Sequence, residues 1–155
     1  MANTQAMCTS FKVELFNGVH NFGTAPVRAS GAADIFKAAL YYSTSSLGAA
    51  TTEYDPLAGE VSGTNYSAGG VTISGSPAWN VPTSSGTTAF TTPTASIVYT
   101  NVSISTSFDT VLIYNSTQGD ASVSVHTFGP QTVTSGNFTL VMPTNAAGTA
   151  LLNIA

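Results

Sequence analysis

The sequence predicts a mainly β fold, an antiparallel β-sandwich or jelly-roll-like domain with one short N-terminal α-helix. Beyond Pro93, β-branched and apolar residues recur in short runs separated by turn formers, without the intervening helices a parallel sheet would need. Ser and Thr supply roughly a quarter of the 155 residues while charged residues are 6%, so hydroxyl side chains stand where ions usually lie. Helical periodicity is convincing in one place, near the N-terminus.

That helix is predicted over residues 4–17. Met7, Cys8, Phe11 and Leu15 recur at three- and four-residue spacing, Lys12 and Glu14 lie off the stripe, and Gly18 follows as a terminator. A helix this short is marginal alone in water, so the Phe11/Leu15 stripe must dock on the sheet or on a neighbouring subunit. Residues 23–31, with Pro26 and Arg28, read as a loop. In residues 34–42 the alanines suit a helix and Ile35, Phe36, Tyr41 and Tyr42 suit a strand; the period-two face of Phe36, Ala38, Leu40 and Tyr42 assigns a strand.

The stretch 43–93 is turn-rich, with a short strand at 71–73 between Gly69-Gly70 and Gly75, another at 87–91, and one or two helical turns at 47–53. Five strands follow, at 95–106, 110–115, 121–128, 137–142 and 149–154. They are separated by the turn formers of 115–120, by Gly129-Pro130 and by Thr134-Ser135-Gly136. Residues 111–114 are apolar on both faces and predict a central strand; in 121–128, Val123, Val125 and Thr127 alternate with Ser122, Ser124 and His126, which predicts one buried face. No repeat and no linker divides the chain, so a single domain is expected, with a helix and loop over 1–33 and a β-rich body over 34–155.

Composition narrows function by exclusion. Lys12, Arg28 and Lys37 are the only basic residues against 7 acidic ones, for a formal net charge of −4, which leaves nucleic-acid binding without electrostatic footing. The first residues lack the basic and apolar regions of an export signal, and no run reaches the roughly 18 apolar residues of a spanning helix, so a soluble chain without a membrane partner is expected. Cys8, the single thiol, reads as a reduced residue packed as a small hydrophobe. A 43% hydrophobic chain with so few charges folds, and its weakly charged surface favours association.

Catalytic signals are weak throughout. His20 and His126 lie far apart and read as hydrogen-bonded surface residues, and the patterns HxxxH, CxxC and GxSxG are absent. Glu53, Asp55 and Glu60 share a Gly-containing loop that could hold Ca²⁺ but lacks the order of an EF-hand loop. Asp109 could join another acid in a glycosidase pair, with no positive signal for one. Gly63 and Gly69-Gly70 punctuate turns and are followed by neither the helix nor the Lys of a phosphate cradle. Asn65, Asn101, Asn115 and Asn137 each begin an Asn-X-Ser/Thr triplet, a frequency that abundant Ser and Thr explain by chance. No catalytic residue, metal site or cofactor is assigned.

The runs FKAAL (36–40), SSLGAATTEY (45–54), GEVSGTNYSAGGVTI (59–73) and VLIYN (111–115), behind an opening helix CTSFKVELFNGVHNF (8–22), resemble a small virion structural protein of tailed bacteriophages. The resemblance spans residues 8–114 and the final strand; it departs at 26–32, which reads as an insertion, and at 91–96, which lacks acidic and Trp residues. It implies a non-enzymatic head decoration (cement) protein, or a neck or tail component, that resides in the virion after assembly in the host cytoplasm. The implied partners are the major capsid protein or other virion proteins and further copies of the chain, as dimer or trimer.

Candidate contact residues are Phe11, Leu15 and Phe16 on the helix and Tyr54, Tyr66, Trp79 and Phe90 in the loops. Each has an intramolecular alternative: Phe11 and Leu15 as core, Trp79 between Pro77 and Pro82 as a loop anchor. Tyr and Trp in polar loops also suggest a carbohydrate-binding β-sandwich module, and a hydrolase has no motif in support. Since every basic residue lies at or before Lys37, the N-terminal portion is the expected docking region.

Overall fold

The computed structural model describes residues 3–16, 18–22, 33–75 and 78–155, apart from the side chains of Val13 and Phe16; the loop predicted at 23–31 and the insertion at 26–32 lie outside them. In chain order the elements are β1 (Ala6–Met7), α1 (Thr9–Phe16), β2 (Phe36–Tyr42), a 3-10 turn at Pro56–Ala58, β3 (Val71–Thr72), β4 (Thr83–Ser85), β5 (Thr88–Thr91), β6 (Ile97–Asn115), β7 (Ala121–Leu140) and β8 (Leu152–Ile154). The chain is mainly β, with 47% strand against 7% helix, and its two antiparallel sheets are arranged as in a sandwich. The larger sheet has the order β1-β7-β6-β2-β3 and the smaller β4-β5-β8. None of its described helices is long and apolar enough to cross a membrane.

The β6–β7 hairpin organises the molecule. Residues 111–114 lie in β6 between β7 and β2, the central position their two-sided apolarity predicts. Ile113 pairs with Ala38 of β2, yet Tyr99, fourteen residues earlier in the same strand, donates its hydroxyl to the Ala38 carbonyl at 2.8 Å. Fourteen residues of straight strand would span about 46 Å. The strand therefore doubles back over its own sheet. Register shifts between Tyr99 and Val102, Val102 and Ile104, Ile104 and Phe108, and Phe108 and Thr110 supply the bend, since each bulge kinks the strand and raises its twist. Phe108, Phe128 and Phe138 fill the inside, with ring centroids 5.0–6.0 Å apart.

This corrects the breaks expected in the second half. The strands predicted at 95–106 and 110–115 are one, as are those at 121–128 and 137–142. Gly129-Pro130 and Ser135-Gly136 bend β7 without ending it; Ser135 holds φ 47° and Asn101, across the hairpin, φ 52°. Asparagine tolerates this left-handed region and its amide can stand in for a lost ladder partner. Asn101 N donates to Asn137 Oδ1 at 2.8 Å, and Asn65 Nδ2 donates to Asn101 O at 2.9 Å. Three of the four Asn-X-Ser/Thr triplets thus clasp one bulge, while Asn115 is buried.

The helix is shorter than predicted because residues 6–7 are taken by a strand: Ala6 pairs with Val125 and Met7 with Ser124. Cys8 N then donates to Val123 O at 3.0 Å, and α1 begins at Thr9 and packs on β7. Covered by the helix, β7 is buried on both faces over residues 121–125, so Ser122 and Ser124 are inside, contrary to the one-sided pattern expected. Small side chains permit that close approach. Strand β2 is likewise buried on both faces. The helical turn expected at 47–53 is absent; a 3-10 turn forms instead at Pro56–Ala58, where Asp55 Oδ1 accepts from Leu57 N at 2.8 Å and Gly59 closes the turn at φ 100°. Strand β4 was not anticipated, and the last strand is confined to 152–154. One cluster of buried apolar side chains runs from Cys8 to Leu152.

Candidate protein-binding site

Three cavities join along the boundary between the two sheets. The first, about 440 Å³, runs between β1 and the chain leading into β8 and is floored by Ser124 and His126. The second, about 600 Å³, shares Met7 and Asn153 with the first and is lined by Lys12, Leu15 and Ile154. The third, about 100 Å³, shares Leu15 and Ile154 with the second and is an apolar cleft against Phe11, Phe22 and Phe90. Together they form a trench that is polar at one end and apolar at the other. Leu15 and Ile154 remain 37% and 43% exposed at its apolar end.

Of the candidate contact residues, the structure brings Phe11, Leu15 and Phe90 together in the apolar cleft. Leu15 is the accessible member; Phe11 and Phe90 are buried and form its floor. The Phe16 side chain lies outside the described residues. Trp79 is core, edge-on to Phe22 and Phe36 at centroid distances of 4.9 and 5.4 Å, which corrects its assignment as a contact residue in favour of the loop-anchor alternative.

Tyr54 and Tyr66 are not at the trench. Both hydroxyls donate to Glu60, Tyr54 to Oε2 at 2.6 Å and Tyr66 to Oε1 at 2.8 Å, and Gly69 N donates to Oε1 at 2.7 Å. Tyr66 Oη also accepts from Leu40 N at 2.9 Å, on the edge of β2 that the two-residue β3 leaves uncovered. Tyr54 stacks on Tyr114 and Tyr66 on Tyr99. Burial first, then the charge of Glu60, holds the Tyr66 hydroxyl well above the ordinary tyrosine range, so it stays a donor. With three donors bound, the Glu60 carboxylate serves as a structural acceptor beneath the loop. The three acids considered for Ca²⁺ are thereby separated in role, Asp55 capping the 3-10 turn and Glu53 lying in a bridge opposite Ala121. Among the described residues no three His, Cys, Asp or Glu are placed to hold a metal ion.

The two histidines also differ from expectation. The His20 side chain is buried, with Nε2 donating to Glu14 Oε2 at 2.6 Å and Nδ1 accepting from Asn115 Nδ2 at 3.0 Å. Asn115 spends its second hydrogen on Asp34 Oδ2 at 2.8 Å, so a chain of bonds ties α1 to the end of β6. Both ring nitrogens are engaged, and His20 acts as a clamp. His126 lies in the trench with Nε2 2.8 Å from Ser124 Oγ. Burial pushes its pKa down to about 4, too weak a base to activate that hydroxyl near neutrality. Cys8 is buried and its thiol is pushed up to about 11, again chiefly by burial, so it packs as an inert small residue.

Comparison with protein-family models, with curated proteins and with solved structures returned no match to this chain. Sequence reasoning found the apolar half of the trench through the Phe11/Leu15 spacing. It missed the polar half, because Gln5, Ala6 and Met7 were absorbed into the predicted helix and β8 carries only three paired residues.

Proposed function

We propose that the chain is a non-enzymatic virion structural protein of a tailed bacteriophage, a capsid decoration (cement) protein that binds the head shell as a symmetric oligomer. The observation that carries this reading is the outer edge of β7. Strand β1 covers that edge at Ser124 and Val125, and from Thr127 to Leu140 no strand among the described residues lies beyond it. The same stretch contains no Asp, Glu, Lys or Arg. Long strand edges normally carry blocking charges, and an uncharged one is suited to a flat contact with a repeating protein surface. The resemblance of 36–40, 59–73 and 111–115 to virion proteins points the same way.

A carbohydrate-binding module loses its motivation, since Trp79 is core and the Tyr54 and Tyr66 hydroxyls are bound to Glu60. The test is addition of the purified oligomer to expanded shells: saturable binding at fixed stoichiometry with a raised shell melting temperature is expected, and shells that neither bind nor gain stability would sink the reading. Copy number separates head from neck or tail, with on the order of hundreds of copies per virion for a shell component and tens or fewer for the alternative.

A further inference from the structure

The trench beside β1 is bounded by two strand edges on which no further strand pairs among the described residues, although on either side of β1 Thr4 N and Thr9 N donate to Leu47 O and Ala49 O at 2.9 Å. Cys8 N donates to Val123 O, and Ala6 pairs with Val125 two residues earlier. Bonded and non-bonded pairs alternate in an antiparallel ladder, so these two are bonded pairs, and Met7, opposite Ser124, turns its N–H and C=O away from β7. Gln5 does the same. Both residues line the trench, and among the described residues neither backbone is bonded to a loop or turn. Across the trench, β8 is paired among the described residues on one side only, with β5.

The charge of the trench is as uneven as its polarity. Among the described residues lining the two larger cavities, Lys12 is the one charged side chain, in a protein whose formal net charge is −4. Beyond Lys12 the trench narrows to the apolar cleft at Leu15 and Phe90. We infer that the trench takes an extended segment of a partner polypeptide, which adds as a strand along β1, sets a carboxylate beside Lys12 and inserts an apolar side chain between Leu15 and Phe90. Backbone pairing supplies affinity in such strand addition, while the charge and the cleft select sequence. The partner is a different protein: this chain has no Asp or Glu in residues 1–13 or 121–155, and the acids between belong to its folded body. The inference rests on reading the chain as a protein-binding subunit, whichever particle it joins.

The test uses the isotope-labelled full chain and three synthetic octapeptides, Thr-Val-Thr-Val-Thr-Glu-Thr-Leu and its analogues with Gln or Lys in place of Glu. The Glu peptide is expected to shift the amide resonances of Gln5 and Met7, slow their hydrogen exchange, and bind about tenfold more tightly than the Lys peptide. Lys12→Glu is expected to reverse that order. Met7→Pro removes an outward donor and no ladder bond, and is expected to weaken all three peptides; if it lowers the melting temperature, Lys12→Glu decides alone. The inference is overturned if no peptide protects Gln5 and Met7, or if protection is indifferent to Lys12→Glu. Shells that bind a protein whose trench does not would leave the assignment of function standing.

Discussion

Gly70 and Gly86 both hold positive φ, at 68° and 58°, but their surroundings differ. A Cβ on Gly70 would lie 1.8 Å from Ala38 O and 2.6 Å from its carbonyl carbon, both rigid backbone, whereas a Cβ on Gly86 meets nothing within 4 Å. Gly86→Ala is expected to cost about 1 kcal/mol, the backbone penalty alone, and Gly70→Ala at least about 3 kcal/mol. Urea midpoints of the two variants check this, and equal losses would refute it. Glu60→Gln places an amide N–H against a hydroxyl that donated to the carboxylate, for an expected loss of about 1.5–3 kcal/mol. His126 adds a pH dependence. Its folded pKa lies near 4, below the ordinary 6.5, so as pH falls from 7 the unfolded chain takes up the proton first and stability drops until about pH 4. The difference between the wild type and His126→Gln across that window is expected to be at most about 3 kcal/mol, read by denaturation at each pH.

At the scale of elements, residues 111–115 of the hairpin are laddered to β2, while its doubled-back arm reaches β2 through the buried Tyr99 hydroxyl on Ala38 O. Tyr99→Phe keeps the ring and removes one of the two donors to Ala38 O, which keeps its ladder partner Val71 N, so a loss of about 0.5–1.5 kcal/mol is expected. Hydrogen exchange should accelerate in residues 97–104 and 131–140 before it does in β2; uniform acceleration would place the bend elsewhere. This hairpin also marks where the sequence was legible and where it was not. The two-sided apolarity of 111–114 located the central strand because burial on both faces leaves that signature. The turn formers at 129–130 and 134–136 predict strand ends, yet β7 runs through both, because glycine and proline serve a bulge as readily as a turn and only tertiary packing decides between them. Residues 5–8 were lost to the helix because Met7 and Cys8 continue the spacing of Phe11 and Leu15, while the pairing of Ala6 with Val125 is a contact across more than a hundred residues that no local pattern reports. Phe11 and Leu15 were found as a stripe for the same local reason; the Glu60 cluster, assembled from Tyr54, Tyr66 and Gly69 around one acid, was visible only as a loop rich in tyrosine and glycine.

For the whole molecule, the scarcity of charge makes a quantitative claim about assembly. Interfaces that rely on ion pairs weaken as salt shortens the Debye length, which falls from about 14 Å at 50 mM to about 4 Å at 500 mM ionic strength. The β7 edge from Thr127 to Leu140 offers no ion to screen, and Ser, Thr and backbone groups hydrogen-bond without regard to salt. Apolar burial strengthens slightly, if it changes at all, as salt rises. Shell binding through this edge is therefore expected to change less than about threefold in affinity over that range, measured by co-sedimentation with expanded shells at several salt concentrations. Peptide binding in the trench should behave differently, because one of its determinants is the exposed Lys12: the preference for the Glu peptide over the Lys peptide should shrink toward parity at 500 mM while the uncharged Gln peptide holds its affinity. The two salt responses separate the surfaces. A steep loss of shell binding with salt would place the shell contact at Lys12 or another charged residue and remove the uncharged β7 edge from the interface.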